Sequence, residues 1–187
     1  MSNLLKPLTE PFTLGITERL AIYPQIGGKL LALFRTFANS ARFLDKAVPN
    51  LLDDESPLSK REREIVILRT CWRNGCEYEW GVHASVFGKQ VGFTKAHLND
   101  TWTENLDSDL WTETELVLFA LVDVLCEKGR LNESLSNSFG NYWSKEQQLE
   151  ILALCGSYHT VSFVANVARL EPEPFAILFP SSTPRND

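Results

Sequence analysis

The stretch GCEYEWGVH, residues 75–83, carries most of the information in this sequence, because it places a thiol, a carboxylate and an imidazole at helical spacing. On an α-helix Cys76, Glu79 and His83 stand at i, i+3 and i+7 and therefore point from one face. Glu64 adds a second carboxylate twelve residues before the cysteine. Titratable groups gather in this way at active sites. The stretch therefore predicts a site that transfers protons and attacks an electrophile.

The position of Cys76 in this helix predicts how reactive its thiol is. Asn74-Gly75 is a turn signal, so we expect the helix to begin directly after it and to run to about Gln90. Free N–H groups and the helix dipole stabilise a thiolate in a first helical turn, so the pKa of Cys76 is expected below its ordinary value of about 8.5. On this argument Cys76 is the most reactive of the four thiols. The alternative, that it is a small buried hydrophobe, stays open.

The sequence on both sides of this stretch predicts further helices. A long amphipathic helix is predicted within residues 24–44. Capping boxes at Ser59, Thr112 and Ser144 mark three more helix starts, and Gly129 is expected to end the second of these helices. No stretch alternates between apolar and polar residues as a half-buried strand does. The sequence therefore predicts an all-α fold, a compact helical bundle.

Length, composition and charge limit the classes of protein that fit. A chain of 187 residues with 44% hydrophobic and 22% charged residues suits one soluble globular domain. The net charge of −6 argues against nucleic-acid binding and gives no attraction to an anionic membrane. We see neither a secretory signal nor an apolar run as long as a membrane span. The four cysteines match neither a disulfide framework nor a zinc ribbon, so we expect reduced thiols in the cytoplasm.

The chain is expected to divide into three parts. These are an N-terminal arm over residues 1–23, a helical domain over residues 24–171 and an irregular, proline-rich C-terminal tail over residues 172–187. The tail contains an apolar run at residues 175–179. Because this run is too apolar to be left in water, we expect it to dock on this subunit or on a neighbouring one.

The residues of the site resemble a known family. Glu64, Cys76, Glu79 and His83, placed after a capped helix, are similar to the carboxymuconolactone decarboxylase family, which includes the alkylhydroperoxidase-D-like proteins. The similarity extends over roughly residues 25 to 172, through the segments 111–115, 129–131 and 158–162. The resemblance implies an all-helical fold of the alkylhydroperoxidase-D-like type that assembles into homotrimers, or homohexamers of two trimers. It places the sites near subunit interfaces and implies neither a cofactor nor a metal.

One position departs from the family pattern. The hydroperoxidase branch carries a glutamate, then Cys-x-x-Cys, then a histidine, and Glu64, Cys76 and His83 match three of these positions. Glu79 stands where the second cysteine would be, so this site cannot close a Cys-x-x-Cys disulfide. Oxidised Cys76 would then need an external thiol or Cys71, five residues upstream, as its resolving partner.

Three functions stay open on these residues. The first is a peroxiredoxin-like, antioxidant hydroperoxide reductase with Cys76 as nucleophile and a relay of Glu64, Glu79 and His83. The second is a cofactor-free decarboxylase, or another acid–base enzyme, that uses His83 and Glu79 on a small carboxylated compound. The third is an oligomer that binds a small molecule or a metal, since thiolate, imidazole and carboxylate are all zinc ligands.

Three further residues are candidates for the lining of the pocket. They are Trp80, Tyr158 and His159, the last two on a long C-terminal helix. Cys126 and Cys155 lie inside apolar helical stretches and are expected to be part of the core.

Overall fold

The computed structural model describes residues 5–46, 48 and 50–179 of the chain. In this part the protein is mostly helical, which confirms the predicted class, and one short β-hairpin is added. The elements in chain order are α1 (Leu14–Leu20), β1 (Gln25–Ile26), β2 (Lys29–Leu30), α2 (Ala32–Phe37), α3 (Ala41–Lys46), α4 (Lys60–Arg73), α5 (Glu77–Val86), a 3-10 helix (Gly88–Val91), α6 (Lys95–Asp100), α7 (Glu113–Lys128), α8 (Glu133–Tyr142) and α9 (Lys145–Ala168).

The helix α4 is the centre of the fold. It packs against α5, α7 and α9, and every residue from 63 to 72 along it is buried. A helix that is surrounded in this way has no solvent-facing side, so its sequence is apolar over several consecutive positions instead of along one stripe. The consecutive residues Ile65, Val66, Ile67 and Leu68 have no exposed surface.

The three capping boxes predicted from the sequence are confirmed. The hydroxyls of Ser59, Thr112 and Ser144 each accept a hydrogen bond from the backbone N–H three residues later, and the side chain of that third residue accepts one from the cap residue in return. Gly129 ends α7 with a φ of 64°, a left-handed conformation that glycine adopts without steric cost. These caps fix where α4, α7 and α9 begin.

The single long helix predicted within residues 24–44 is wrong. The chain forms instead the hairpin β1–β2, whose turn at Gly27 and Gly28 has φ angles of 59° and 74°, followed by the short helices α2 and α3. Each glycine costs about 1 kcal/mol in a helix interior, so the pair favours a turn over a continuous helix. The apolar spacing in this segment reflects packing of separate short elements.

Two helices differ from the prediction in their limits. The helix that carries the site ends at Val86 and not near Gln90, because the chain changes there to a 3-10 turn that ends at Gly92 with a φ of 77°. The helix α8, capped by Asn132, was not predicted at all. Its apolar residues Leu135, Phe139 and Tyr142 do have helical spacing, a signal in the sequence that the prediction missed.

The apolar run at residues 175–179 docks on α5 of its own chain. The ring of Phe179 packs on Trp80 with centroids 5.2 Å apart. A Cβ atom added at Gly81 would lie 2.5 Å from the carbonyl oxygen of Ile177, so the close approach of the tail requires glycine at position 81. The tail residues described here thus cover one side of the helix that carries Cys76 and His83.

The helix α9 is long and apolar enough to span a membrane. Half of its most apolar stretch is buried within the protein, where α9 packs against α4. Core helices of soluble proteins share this length and composition, so these properties are weak support for a membrane segment.

Arg69 is a buried charge in α4, and its side chain has no exposed surface. Its guanidinium donates two hydrogen bonds to the carboxylate of Asp123 on α7, at 2.6 and 2.7 Å, and two more to the backbone carbonyls of Thr101 and Thr103. Planar two-point pairing of this kind satisfies both partners at once. The pair therefore holds α4 and α7 in register.

We predict that Asp123→Ala lowers the free energy of unfolding by about 3 kcal/mol, because it leaves the Arg69 charge buried without its counterion. Asp54→Ala is the matched control, since the carboxylate of Asp54 pairs with Lys60 where both side chains are largely exposed. That change should cost less than about 1 kcal/mol. Urea titrations of the three proteins measure the difference, and equal costs for the two variants would contradict the role assigned to Asp123.

Candidate active site

The turn between α4 and α5 builds the thiol part of the site. Gly75, with a φ of 61°, donates its N–H to the carbonyl of Trp72 at 2.9 Å, and Cys76 donates its N–H to the carbonyl of Cys71 at 2.8 Å. These two bonds define a Schellman motif, in which the side chains of the residues joined by the longer bond commonly contact each other. The motif therefore places Cys71 and Cys76 side by side, both without exposed surface.

The helix α5 then brings the acid–base groups to the same face, as the sequence predicted. Cys76 is the N-cap of α5, while Glu79 and His83 lie within the first two turns. All three are buried, with 0%, 6% and 3% of their surfaces exposed. Glu64, on the facing side of α4, is buried as well.

His83 is the centre of the hydrogen-bond network. Its Nδ1 lies 2.9 Å from Oε2 of Glu64, and its Nε2 lies 2.8 Å from the hydroxyl of Tyr158 and 3.5 Å from Oε1 of Glu79. The structure therefore joins Glu64, His83, Glu79 and Tyr158 in one buried chain that spans α4, α5 and α9.

Electrostatics decide the charge of His83. Burial alone would lower the pKa of the imidazole, but the charges and hydrogen bonds of Glu64 and Glu79 outweigh burial and raise this pKa to about 10. The ring is then an imidazolium at neutral pH and donates from both nitrogens. Burial, together with the charges of Glu79 and Glu64, raises the pKa of Tyr158 well above its ordinary value and keeps its hydroxyl protonated.

The prediction that Cys76 has a lowered pKa is wrong. Burial raises the pKa of the Cys76 thiol to about 11, and the lowering effect of the Glu79 backbone N–H does not outweigh it. Two features differ from the sequence argument: Cys76 lies at the N-cap and not in the first turn, and no water reaches its sulfur. Burial, with the nearby Cys76 sulfur and the Glu79 charge, also raises the pKa of Cys71. The resting site therefore holds thiols and not thiolates.

Glu79 has an oxygen available for a proton. Its Oε1 faces His83, whereas its Oε2 is buried and has no hydrogen-bond partner among the described residues. A buried polar atom without a partner is rare, and such atoms occur where a substrate or a transferred proton is received. The same carboxylate contributes to raising the pKa of Cys76 through its charge, which indicates that it lies close to the thiol.

The candidate pocket residues have three different positions. Tyr158 is part of the site and contacts His83 directly. Trp80 belongs to the core: it is 1% exposed and its Nε1 donates to the hydroxyl of Thr101 at 3.0 Å. His159 points away from the site, because consecutive residues on a helix are turned by about 100°.

His159 belongs to a second cluster, which corrects its assignment to the pocket. Its Nε2 lies 3.2 Å from Sγ of Cys126, and Cys155 accepts a hydrogen bond from the hydroxyl of Thr70 at 3.6 Å. Cys155 is part of the core, as expected, whereas Cys126 is only partly buried, packs against the core and lines an open cavity. The sequence analysis missed this cluster because Thr70, Cys126 and Cys155 are far apart in the chain and lie on three different helices.

The structure also bears on the hypothesis that a metal binds at the set of residues around Cys76 and His83. Within residues 5–46, 48 and 50–179, the group whose ligand atoms converge is Cys126, Cys155 and His159, and not the set around Cys76 and His83.

Comparison with known proteins supports the resemblance. Residues 38–122 match the profile described as "Carboxymuconolactone decarboxylase family", and this segment includes Glu64, Cys76, Glu79 and His83. The match confirms, over these residues, the resemblance seen in the sequence. No curated protein matches the chain.

A solved structure supports the fold over the whole chain. It is that of an uncharacterized peroxidase-related protein from Silicibacter sp. TM1040, with a TM-score of 0.75 and 16% sequence identity. The alignment covers 96% of this chain and 100% of the other. At this level of identity the two proteins share a fold.

The pKa of His83 leads to a prediction on stability. A histidine whose pKa rises on folding, here from 6.5 to about 10, stabilises the fold fully below pH 6.5 and loses this contribution as the pH rises through 10. We therefore expect the difference in free energy of unfolding between the protein and His83→Gln to shrink by about 2 kcal/mol from pH 6.5 to 8.5. Urea titrations at both pH values measure it.

If His83→Gln does not fold, the variant Glu64→Gln can be used for the same measurement. Glu64→Gln removes one of the charges that raise the pKa of His83, so it should give part of the same change in pH dependence. A pH dependence that is unchanged in both variants would show that His83 is neutral in the folded protein.

Proposed function

We propose that this protein is a thiol-dependent hydroperoxide reductase in which Cys76 is the nucleophile and Glu79, His83 and Glu64 carry the proton. The observation that carries the proposal is the burial of the Cys76 thiol beside Glu79, whose carboxylate pairs with His83, which in turn pairs with Glu64. The match of residues 38–122 to the family and a shared fold with a protein described as peroxidase-related support it.

The raised pKa of Cys76 determines how the first step must proceed. A thiol with a pKa of about 11 is protonated at neutral pH, so attack on a peroxide has to be coupled to removal of the proton. The group that accepts this thiol proton is Oε2 of Glu79, which has no hydrogen-bond partner among the described residues. The imidazolium of His83, held between two carboxylates, compensates the negative charge while Glu79 exchanges the proton.

The chemistry balances with the groups present. The sulfur of Cys76 attacks one peroxide oxygen, the O–O bond breaks, and the alcohol leaves with the proton that Glu79 received. Cys76 becomes a sulfenic acid. The thiol of Cys71 then attacks that sulfur, water leaves and a Cys71–Cys76 disulfide forms. An external thiol reductant must return the pair to two thiols.

The Schellman turn is what makes Cys71 a suitable resolving residue in place of the missing second cysteine of Cys-x-x-Cys. Cys71 and Cys76 are joined by a backbone hydrogen bond across the turn, which fixes their main chains relative to each other. Because neither sulfur is exposed, a hydroperoxide reaches them only when the covering segments move. We expect small hydroperoxides to be the better substrates for this reason.

We predict that Glu79→Gln slows oxidation of Cys76 by hydroperoxide about 10²- to 10⁴-fold, because it removes the base that accepts the thiol proton. Glu146→Gln is the matched control: it removes an exposed carboxylate in the first turn of α9, outside the relay, and this variant should react at the unchanged rate. Mass spectrometry of the quenched protein, with a sulfenic-acid trap, measures the rate.

The same experiment tests the resolving residue. After a brief peroxide pulse the unchanged protein should contain a Cys71–Cys76 disulfide, whereas Cys71→Ser should retain a trapped sulfenic acid at position 76. If Cys76 stays reduced while the fold is intact, the thiol mechanism is wrong.

The geometry also favours a second candidate, an acid–base enzyme that acts on a small carboxylated compound without a cofactor. The specific observation is the chain Glu64–His83–Tyr158, which is complete without any sulfur. Here His83 and Glu79 would move the protons and Cys76 would be a bystander. A Cys76→Ser variant that still decarboxylates a carboxylated lactone, with loss of turnover in His83→Gln, would favour this function over the first.

We further propose that the protein works in a reducing, cytoplasmic environment as a homotrimer or a hexamer of two trimers. The four cysteines are free thiols, which fits such an environment. The helix α9 presents large exposed apolar side chains at heptad-like spacing, on the side away from α4. They are Leu149, Leu152, Phe163 and Val167, from 41% to 69% exposed.

We predict that Phe163→Lys dissociates this assembly, because it places a charge in the middle of the apolar face of α9. Ile22→Lys is the control, since Ile22 is 82% exposed but lies in the hairpin region away from α9. Sedimentation velocity at micromolar concentration compares the two. A monomer in the unchanged protein would contradict the oligomer.

A further inference from the structure

The cluster of Cys126, Cys155 and His159 lies apart from the proposed active site and has no part in its chemistry. It contains two thiols and one imidazole, and their ligand atoms all lie within 4.8 Å of one another. The separation between Sγ of Cys126 and Nε2 of His159 is 3.2 Å. In a tetrahedral zinc site with bonds of about 2.1 to 2.3 Å, neighbouring ligand atoms stand roughly 3.5 Å apart. The three side chains therefore already have nearly the spacing that a zinc ion requires.

We propose that Cys126, Cys155 and His159 form a binding site for a thiophilic divalent metal ion, and that Zn²⁺ is the ion that fits these donors. The set of two cysteines and one histidine leaves a fourth tetrahedral position for water or a small ligand. Two thiolates would neutralise the charge of the ion, which suits a partly buried position.

The scaffold of this site is rigid. Cys155 and His159 are four residues apart on α9 and therefore lie on one face of the helix, and Cys126 faces them from α7. Two ligands from one helix and a third from its neighbour hold a metal in a defined geometry, because neither helix has to rearrange.

Groups around the cluster supply the support that metal sites need. The hydroxyl of Thr70 on α4 donates a hydrogen bond to Cys155, which would orient that sulfur and stabilise it as a thiolate. Asp123, one turn before Cys126, is held in place by Arg69. These partners connect the site to the central helix.

An open cavity of about 340 Å³ gives a metal ion access to the cluster. It is lined by Cys126 together with Trp72, Arg73, Glu104 and Glu127. The cavity leaves room for a water molecule or another small ligand at the fourth position of the metal. This site is independent of the proposed peroxide chemistry, because Cys76 and His83 take no part in it.

The test is zinc uptake by the full-length protein purified without a histidine tag, stripped with chelator under reducing conditions and dialysed against micromolar Zn²⁺. We expect one zinc per chain by elemental analysis, and a thiolate-to-metal charge-transfer band after Co²⁺ replaces it. Cys126→Ser, Cys155→Ser and His159→Ala should each lose the zinc. Thr70→Val should weaken binding about 10- to 100-fold, as the loss of a supporting hydrogen bond does in other sites.

Cys76→Ser and His97→Gln are the matched controls, each removing one thiol or one imidazole elsewhere, and both should keep the zinc. Retention of zinc in the three ligand variants would overturn the proposal, as would loss of zinc in Cys76→Ser. Failure of the reduced, unchanged protein to bind zinc, with a Cys126–Cys155 disulfide forming in air, would overturn it in favour of a redox pair.

Discussion

The burial of α4 over residues 63–72 is the constraint on which the rest of the structure depends. A helix with no solvent-facing side cannot leave a polar group unpaired, because an unsatisfied charge or hydrogen-bonding group is costly in the interior. Glu64, Arg69 and Thr70 all lie on this helix and are buried. Each forms a hydrogen bond with a residue of a different neighbouring helix. Glu64 pairs with His83 on α5 and Arg69 pairs with Asp123 on α7, while Thr70 donates to Cys155 on α9. The polar groups of α4 thus determine how three helices pack around it.

The same burial produces the unusual electrostatics of the proposed active site. His83 carries its charge in the interior because Glu64 and Glu79 are buried beside it, and the thiols stay protonated because nothing solvates a thiolate. Such a site contains no thiolate before the reaction begins. Its reactivity has to come from coupling between proton transfer and bond formation, which is why the unpartnered oxygen of Glu79 matters more than the intrinsic acidity of Cys76.

The two sulfur clusters lie next to each other along the chain but face different sides of α4. Cys71 and Thr70 are consecutive on that helix, and Tyr158 and His159 are consecutive on α9. In each pair one residue serves the His83 site and the other serves the Cys126 cluster. The turn of about 100° per residue separates the clusters, so one pair of packed helices supports two sites of different chemistry.

The sequence by itself determined the features that depend on local spacing. The capped starts of α4, α7 and α9 followed from short hydrogen-bonding patterns, and the shared face of Cys76, Glu79 and His83 followed from helical periodicity. The resemblance to the family, which the match over residues 38–122 supports, followed from the same spacing. The failure at Gly27 and Gly28 has the same origin, because apolar spacing alone does not distinguish one long helix from several short elements.

Only the tertiary structure decided the features that depend on burial and on contacts between distant parts of the chain. The pKa of Cys76 rose because other helices exclude water from it, which outweighs the effect of the helix terminus. Tyr158 contacts His83 and His159 does not, because the rotation of α9 against α4 sets which residue faces His83. Solvation and helix rotation are properties of the packed molecule, and no local pattern of residues encodes them.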